Sequence, residues 1–326
     1  MKSIEDRQTV IHLIPNPLSG LRFVDPIVKE LSVAGFDAEL WTEPGIGTDR
    51  FVAKIGARKR LAYFNIVVNP IAIIWRGLSL WRQFLIIRPR CVHAHQTRGG
   101  VIPLVAARMA NVPIRIYHNH GSAYWGTSWI LKSVFWVIER LNCGFATHVL
   151  FVNPLLAKAF IRARIVSPGK VLTFEPGSAC GIDLSAYPEE APGEGDTQGY
   201  RQYLGVPKRH FVVLYVGRPN RRKGFHFLLH TWANSPFSSG DNTLLIAGCT
   251  DDDVRHVLGH IVPSNIVVLG NQMDLVPIYA CSDVVVLPSH HEGMSYALLE
   301  AAACARPLVV TDIPGNRAFW SEEMGV

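Results

Sequence analysis

Short runs of aliphatic and β-branched residues alternate with longer stretches of helical periodicity, and the alternation occurs in two rounds along the chain. In the first half the pattern predicts strands over 10–14, 38–41, 92–95, 113–118, 148–152 and 171–174. Helices are predicted between them over 24–33, 71–87, 101–110, 130–141 and 154–164. The second half repeats the theme, with strands over 211–216, 243–247, 265–269, 283–287 and 307–310. Its helices are predicted over 224–232, 251–258, 274–281 and 295–304. Strands without polar alternation, separated by helices, belong to parallel sheets covered on both faces. The expected fold class is α/β: two doubly wound Rossmann-like domains facing a cleft, with ligands at the carboxyl ends of the strands.

Periodicity breaks over 187–199, a segment rich in Pro, Gly and acidic residues that reads as turns and linker. This places a first domain over 1–186 and a second over 187–326. In the first domain, the helix over 71–87 is largely apolar, with a narrow stripe formed by Ala72, Arg76, Ser79 and Gln83. Such a helix is either packed on both sides or half immersed in lipid. Trp75, Trp81 and the neighbouring basic run Arg58, Lys59 and Arg60 favour the interface of a membrane.

Composition narrows the class. With 326 residues, 48% hydrophobic and 18% charged, the chain can fill two cores and is not of the disordered type. The uncharged stretch 61–75 contains Pro70 and is shorter than the roughly 18–20 apolar residues a membrane span needs. The first residues carry Glu5 and Asp6 and show no secretory pattern. Six cysteines lie scattered without CxxC spacing, which fits a reducing cytosol better than a disulfide framework. The net charge of +6 is unevenly spread: residues 1–180 carry +12 and residues 181–326 carry −6. Between Asp49 and Glu139 there are 13 Lys and Arg and no acid. A field of that sign attracts an anionic partner. No nucleic-acid-binding motif accompanies it, so an anionic membrane surface is the expected partner and nucleic acid is not.

Two segments carry candidate chemistry. The turn Gly217-Arg218-Pro219-Asn220-Arg221-Arg222-Lys223-Gly224 follows a predicted buried strand and opens a helix. Helix-start N–H groups favour anions, and Arg218 and Lys223 add two fixed cations suited to a diphosphate. The segment is not a Walker loop. The second stretch, from Ser289 to Ala301, joins another strand to a helix and brackets Gly293, Met294, Ser295 and Tyr296 between Glu292 and Glu300. Carboxylates accept hydrogen bonds from vicinal hydroxyls, the chemistry expected of a sugar on one side of a phosphate group and a ribose on the other. Glu300 lies in an otherwise apolar run, where an unpaired charge is costly, and this favours a function for it.

The pair G-R-x(4)-K-G and E-G-x(6)-E, followed by Thr311-Asp312-Ile313-Pro314-Gly315-Asn316, resembles the family-4 retaining glycosyltransferases of GT-B fold. So do Val92-His93-Ala94-His95, Tyr117-His118-Asn119-His120-Gly121, and the stretch Glu175-Pro176-Gly177-Ser178 to Gly181-Ile182-Asp183-Leu184. The chain looks most similar to bacterial enzymes that extend lipid-linked oligosaccharides for capsule, O-antigen or exopolysaccharide. The resemblance implies that Arg218 and Lys223 hold the donor diphosphate, Glu292 and Gly293 the transferred sugar, and Glu300 the ribose. It implies that His120 lies near donor sugar and acceptor, and that Gly20, in the loop after the first strand, lets backbone approach a substrate. The implied reaction is front-face transfer with retention, from a nucleotide sugar (a UDP-sugar, perhaps UDP-HexNAc) to a polyprenyl-diphosphate-linked saccharide. No cofactor and no metal is implied, and the expected location is the cytoplasmic face of the membrane.

Family members usually continue beyond the point reached at Val326, so a truncated second domain is expected. A non-catalytic nucleotide-sugar-binding paralogue and a sugar-nucleotide 2-epimerase are the alternatives. The histidines His93, His95, His118 and His120 form two H-x-H pairs on predicted strands. Without cysteines or carboxylates beside them, a zinc site is the minor reading and hydrogen-bonded histidines the major one.

Overall fold

The structure is a computed structural model that describes residues 8–53, 59–67, 69–121, 129–174, 177, 180–187, 194–259, 262–272 and 274–319. It forms two compact units, Met1–Cys180 and Gly181–Val326, which divide a few residues before the expected linker. The first unit is built on seven strands: β1 (Thr9–Ile14), β2 (Asp37–Thr42), β3 (Lys59–Leu61), β4 (Cys91–His95), β5 (Ile114–Asn119), β6 (His148–Phe151) and β7 (Val171–Thr173). They are ordered β3-β2-β1-β4-β5-β6-β7, and every pairing is parallel. The second unit holds β8 (Phe211–Val216), β9 (Asn242–Ala247), β10 (Ile266–Val268), β11 (Val284–Leu287) and β12 (Leu308–Val310). Their order is β10-β9-β8-β11-β12, again parallel throughout. Strand order reverses between β1 and β4 and between β8 and β11. Loops leaving those strands diverge to opposite faces, and a crevice opens at the carboxyl ends.

Both faces of the second sheet are covered, as the unbroken apolar strands require. Val212 and Leu214 pack with Ile278, Tyr279 and Ala301 on one side. Val213 and Tyr215 pack with Phe225, Leu229 and Trp232 on the other. Successive residues of β8 thus serve two cores, because side chains alternate across a strand.

The first unit has a more polar interior. Glu139, fully buried on helix Trp129–Phe145, accepts hydrogen bonds from Thr97 Oγ1 (2.8 Å) and Tyr117 Oη (2.6 Å). Asn119 Nδ2 donates to both of its oxygens at 3.3 Å. A buried carboxylate is tolerable only with donors of this kind, and these lock the helix to β5. Beside Tyr117 and Asn119, His118 points to the other face with His12, His93, His95 and His120.

Several expectations are corrected. Strand β3 was not expected, because two of its three residues are cations; Lys59 pairs with Asp25 at 2.7 Å and Arg60 with Glu39 at 3.2 Å. Those two members of the basic run are therefore tied to acids, and Arg58 lies outside the described residues. The segment 187–199 is not all linker: helix Glu194–Tyr203 begins within it. Its sequence has poor helical periodicity, but Arg201 clamps it to the sheet through Asp283 (2.9 Å) and the Cys281 carbonyl (2.9 Å). Gly20 lies in helical backbone, at the head of a five-residue π turn, and not in a loop. It is buried, and a Cβ there would stand 3.0 Å from Thr42 Cγ2 and 3.1 Å from Ile14 Cγ2, so close packing explains the glycine. Arg76, on the narrow polar stripe of its helix, donates to the Asn65 carbonyl at 2.8 Å.

Burial pushes the His12 pKa from 6.5 down to about 4. The unfolded chain takes up that proton near pH 6.5 and the folded chain refuses it until about pH 4. Stability from this group is therefore complete above pH 6.5 and declines as pH falls toward 4. Between pH 7 and 5 His12 alone should cost about 2 kcal/mol. Urea unfolding at the two pH values checks this: the loss should shrink in His12→Leu, and equal pH dependence in both proteins contradicts it.

Candidate active site

The switch point of the second sheet gathers the residues singled out in its sequence. β8 ends in Val216, and the chain turns through Gly217 and Arg218 into a 3₁₀ turn, Arg221–Lys223. Asn220 caps that turn, its side chain accepting from Lys223 N at 3.0 Å. Gly224 follows at φ +71°, and helix Phe225–Ala233 begins. β11 ends in Leu287, and the following loop carries Glu292 to Ser295, which starts helix Tyr296–Ala303.

These two connections are pressed together. A Cβ on Gly224 would stand 1.9 Å from the Pro288 carbonyl oxygen, and its left-handed backbone also favours glycine. The His290 N–H donates to the Arg222 carbonyl at 2.8 Å. From the third side, the stretch after β12 brings in Gly315, where a Cβ would meet the Glu292 carbonyl oxygen at 2.4 Å. Asn316 Nδ2 braces that stretch by donating to the Thr311 carbonyl at 2.9 Å.

Lys223 Nζ stands 2.6 Å from Glu292 Oε1, and both side chains are largely shielded. The contact is an ion pair. Removing either partner would leave an unmatched buried charge. Tyr215, nearly inaccessible, lies beneath the turn and donates from Oη to the Arg218 carbonyl at 3.1 Å. Burial, Cys249 and Glu292 raise its pKa while Arg218 lowers it, so Glu292 and the Arg218 guanidinium both act on one phenol. The Arg218 side chain itself is exposed.

Gly293, Met294 and Ser295 are buried, and Tyr296 is partly so. Glu300 is buried, and its Oε2 accepts from Tyr279 Oη at 3.0 Å. The structure therefore brings Lys223 and Glu292 into contact, sets Arg218 at the same turn, and holds Glu300 on the adjoining helix. His120 and Gly20 belong to the first unit. Sequence reasoning missed Tyr215 and Tyr279; a tyrosine inside an apolar strand or helix was the available signal, since a buried hydroxyl needs a partner. A separate open pocket of about 290 Å³, lined by Arg221, His226, Phe227, His230 and His290, shares the turn but none of the four charged site residues.

Both sheets are doubly wound, and cations and acids gather at the switch point of the second. Residues 22–177 match the "Glycosyl transferase 4-like domain" model, and residues 210–325 match "Glycosyl transferases group 1". The chain belongs to this glycosyltransferase family, and its fold is that of GT-B glycosyltransferases. It is similar to the Escherichia coli "UDP-Gal:alpha-D-GlcNAc-diphosphoundecaprenol alpha-1,3-galactosyltransferase", 27% identical over 76% of this chain and 64% of that protein. It is also similar to the Staphylococcus aureus "Capsular polysaccharide biosynthesis glycosyltransferase CapM", at 24% identity over 78% of this chain and 68% of that one. The chain thus spans roughly two thirds of these relatives' length. Among solved structures, Anabaena Alr3699/HepE in complex with UDP and glucose superposes with a TM-score of 0.77 at 18% identity, covering 97% of this chain and 83% of that one.

The glycine contacts give a direct test of how the site is built. Gly315→Ala should force the Glu292 backbone away and destabilise the second unit by about 1–3 kcal/mol. Gly144→Ala, where an added Cβ meets nothing within 4 Å, serves as the control. Thermal melting should show a lower midpoint for the first variant only; equal midpoints contradict the packing described.

Proposed function

We propose that the protein transfers a sugar from a nucleotide sugar to a polyprenyl-diphosphate-linked saccharide, with retention at the anomeric carbon. The observation that carries this reading is the shielded Lys223–Glu292 contact at the switch point of the second sheet, flanked by Arg218 and Glu300. Cations and carboxylates set side by side match a donor that is a diphosphate at one end and a polyol at the other. UDP-sugars are the preferred donors, in keeping with the UDP in the names of the galactosyltransferase and HepE complexes.

In this reading Arg218 and Lys223 hold the diphosphate. Negative charge grows on it as the glycosidic bond breaks, so the two cations stabilise the transition state more than the ground state. Glu292 holds hydroxyls of the sugar, with Gly293, Met294, Ser295 and Tyr296 forming the wall beside it. Glu300, oriented by Tyr279, takes the ribose hydroxyls. His120 serves the sugar and acceptor from the first unit. The departing diphosphate oxygen accepts the proton of the attacking hydroxyl, so positioning counts for more than a strong base. Charge on the diphosphate is met by side chains, which makes the reaction metal-independent.

The acceptor is lipid-linked, and the first unit offers a surface for lipid. On helix Trp129–Phe145, Ile130, Val134, Val137 and Leu141 form an exposed apolar stripe, with Trp129 79% exposed at its start. Trp75, 64% exposed, and Ile71 and Ile74 add apolar surface on helix Pro70–Ile87. Among the described residues no helix is long and apolar enough to cross a membrane. With the basic first half, this supports peripheral docking on an anionic, cytoplasmic-facing leaflet.

Incubation with a panel of nucleotide sugars and a polyprenyl-diphosphate saccharide tests the reaction. Glu292→Gln should lower turnover by about 10²-fold while donor affinity changes little. Wild-type activity in Glu292→Gln removes the site assignment. Donor binding without transfer would indicate a non-catalytic binder, and release of an epimerised donor an epimerase. For docking, flotation with anionic vesicles at low salt should retain the wild type and lose about tenfold of it in Ile130→Ser/Val134→Ser. Equal flotation of both proteins, or of wild type with neutral vesicles, contradicts the surface assignment.

A further inference from the structure

The switch point of the first sheet carries five histidines and no stated role for four of them. β1 supplies His12, β4 supplies His93 and His95, and β5 supplies His118, with His120 just beyond it. Register places His12 opposite His93 and His95 opposite His118, so the side chains share one face. Their rings lie against one another in a single group, with centroids 4.2 Å apart for the stacked His93 and His95 and 4.3 Å for the tilted pair His118 and His120.

Two features separate this group from an ordinary hydrogen-bonded set. His118 is fully buried, yet among the described residues neither of its ring nitrogens has a hydrogen-bond partner. A neutral imidazole always presents one N–H and one lone pair, and leaving both unmatched inside a protein costs about 1–3 kcal/mol for each. The second feature is convergence. One ring nitrogen from each of His95, His118 and His120 lies within 4.8 Å of the others. His95 Nδ1 and His120 Nε2 stand 3.0 Å apart, close to the spacing of about 3.3 Å that two imidazoles adopt around one tetrahedral ion.

We propose that His95, His118 and His120 form a binding site for a first-row transition-metal ion with imidazole preference, Zn²⁺ foremost. Three neutral nitrogens ligate the ion and leave a fourth position for water or an exogenous ligand. His120 is the partly exposed member of the set and gives the ion its entry. The other nitrogen of His95, Nε2, faces His12 Nδ1 at 3.2 Å. Donating that N–H to His12 fixes the tautomer in which Nδ1 ligates, the usual role of an outer partner to a metal-bound histidine. Burial holds all five imidazoles neutral at physiological pH, which keeps their lone pairs free for a metal. The absence of thiolates and carboxylates from the set disfavours Mg²⁺, Ca²⁺ and iron–sulfur chemistry. Loading would occupy His120 Nε2 and so withhold it from the transfer reaction. The site is nonetheless tested by metal binding alone, so its failure leaves the transferase reading intact.

The experiment uses untagged full-length protein, stripped with a chelator and titrated with Co²⁺ and then Zn²⁺. Wild type should bind about one equivalent with micromolar or tighter affinity, Co²⁺ should give visible d–d absorption of a four-coordinate site, and Zn²⁺ should displace it. His118→Gln and His118→Ala should each weaken binding about tenfold or more, while His256→Ala, on the second unit's surface, should bind like wild type. The Co²⁺ spectrum of wild type needs no variant and stands if a variant fails to fold. Less than about a tenth of an equivalent bound in wild type, or full binding in soluble His118→Gln, overturns the proposal. Either result makes the group a hydrogen-bonded chain from His12 through His95 to His120.

Discussion

The second unit is organised around one electrostatic contact, the ion pair between Lys223 and Glu292. Neither residue is held there by its own element alone. Lys223 ends a capped 3₁₀ turn after β8, and Glu292 sits in the loop after β11, two strands that are neighbours only because the sheet reverses its order between them. Gly224 and Gly315 let three backbones approach closely enough to bring the charges together. Shielding from water raises the strength of the contact and the cost of losing either partner. A ligand that offers its own anionic and hydroxyl groups competes for both members at once. In the proposed function, that competition is what ties a structural pair to a nucleotide sugar.

The two units solve the same topology with different interiors. The second has apolar cores on both faces of its sheet, and its charges gather at the carboxyl ends of the strands. The first buries Glu139 among hydroxyl and amide donors and sets five histidines across β1, β4 and β5. Polar interiors of this kind depend on complete pairing. Glu139 meets that requirement, and among the described residues His118 does not.

Much of the fold was legible because buried parallel strands leave continuous apolar runs. Eleven of the strands follow their sequence pattern closely. Strand β3 was illegible because Lys59 and Arg60 earn their places through Asp25 and Glu39, which are distant in sequence. Helix Glu194–Tyr203 was hidden for a similar reason, since Arg201 anchors it to Asp283. In the site, the motif residues were visible as charges beside glycines. The supporting contacts were not: that Tyr279 holds Glu300, and that Gly315 makes room for Glu292, depends on chain segments meeting in space. Gly20, expected beside a substrate, also has a packing reason to be glycine, since a Cβ there would press on Ile14 and Thr42.

Calorimetric titration of UDP into the wild type, Lys223→Ala and Arg218→Ala proteins measures the central claim without any acceptor. Saturable binding to the wild type, weakened about tenfold or more in each variant and increasingly so at low salt, is the result this account predicts. Equal affinity in all three proteins would show that the diphosphate lies elsewhere.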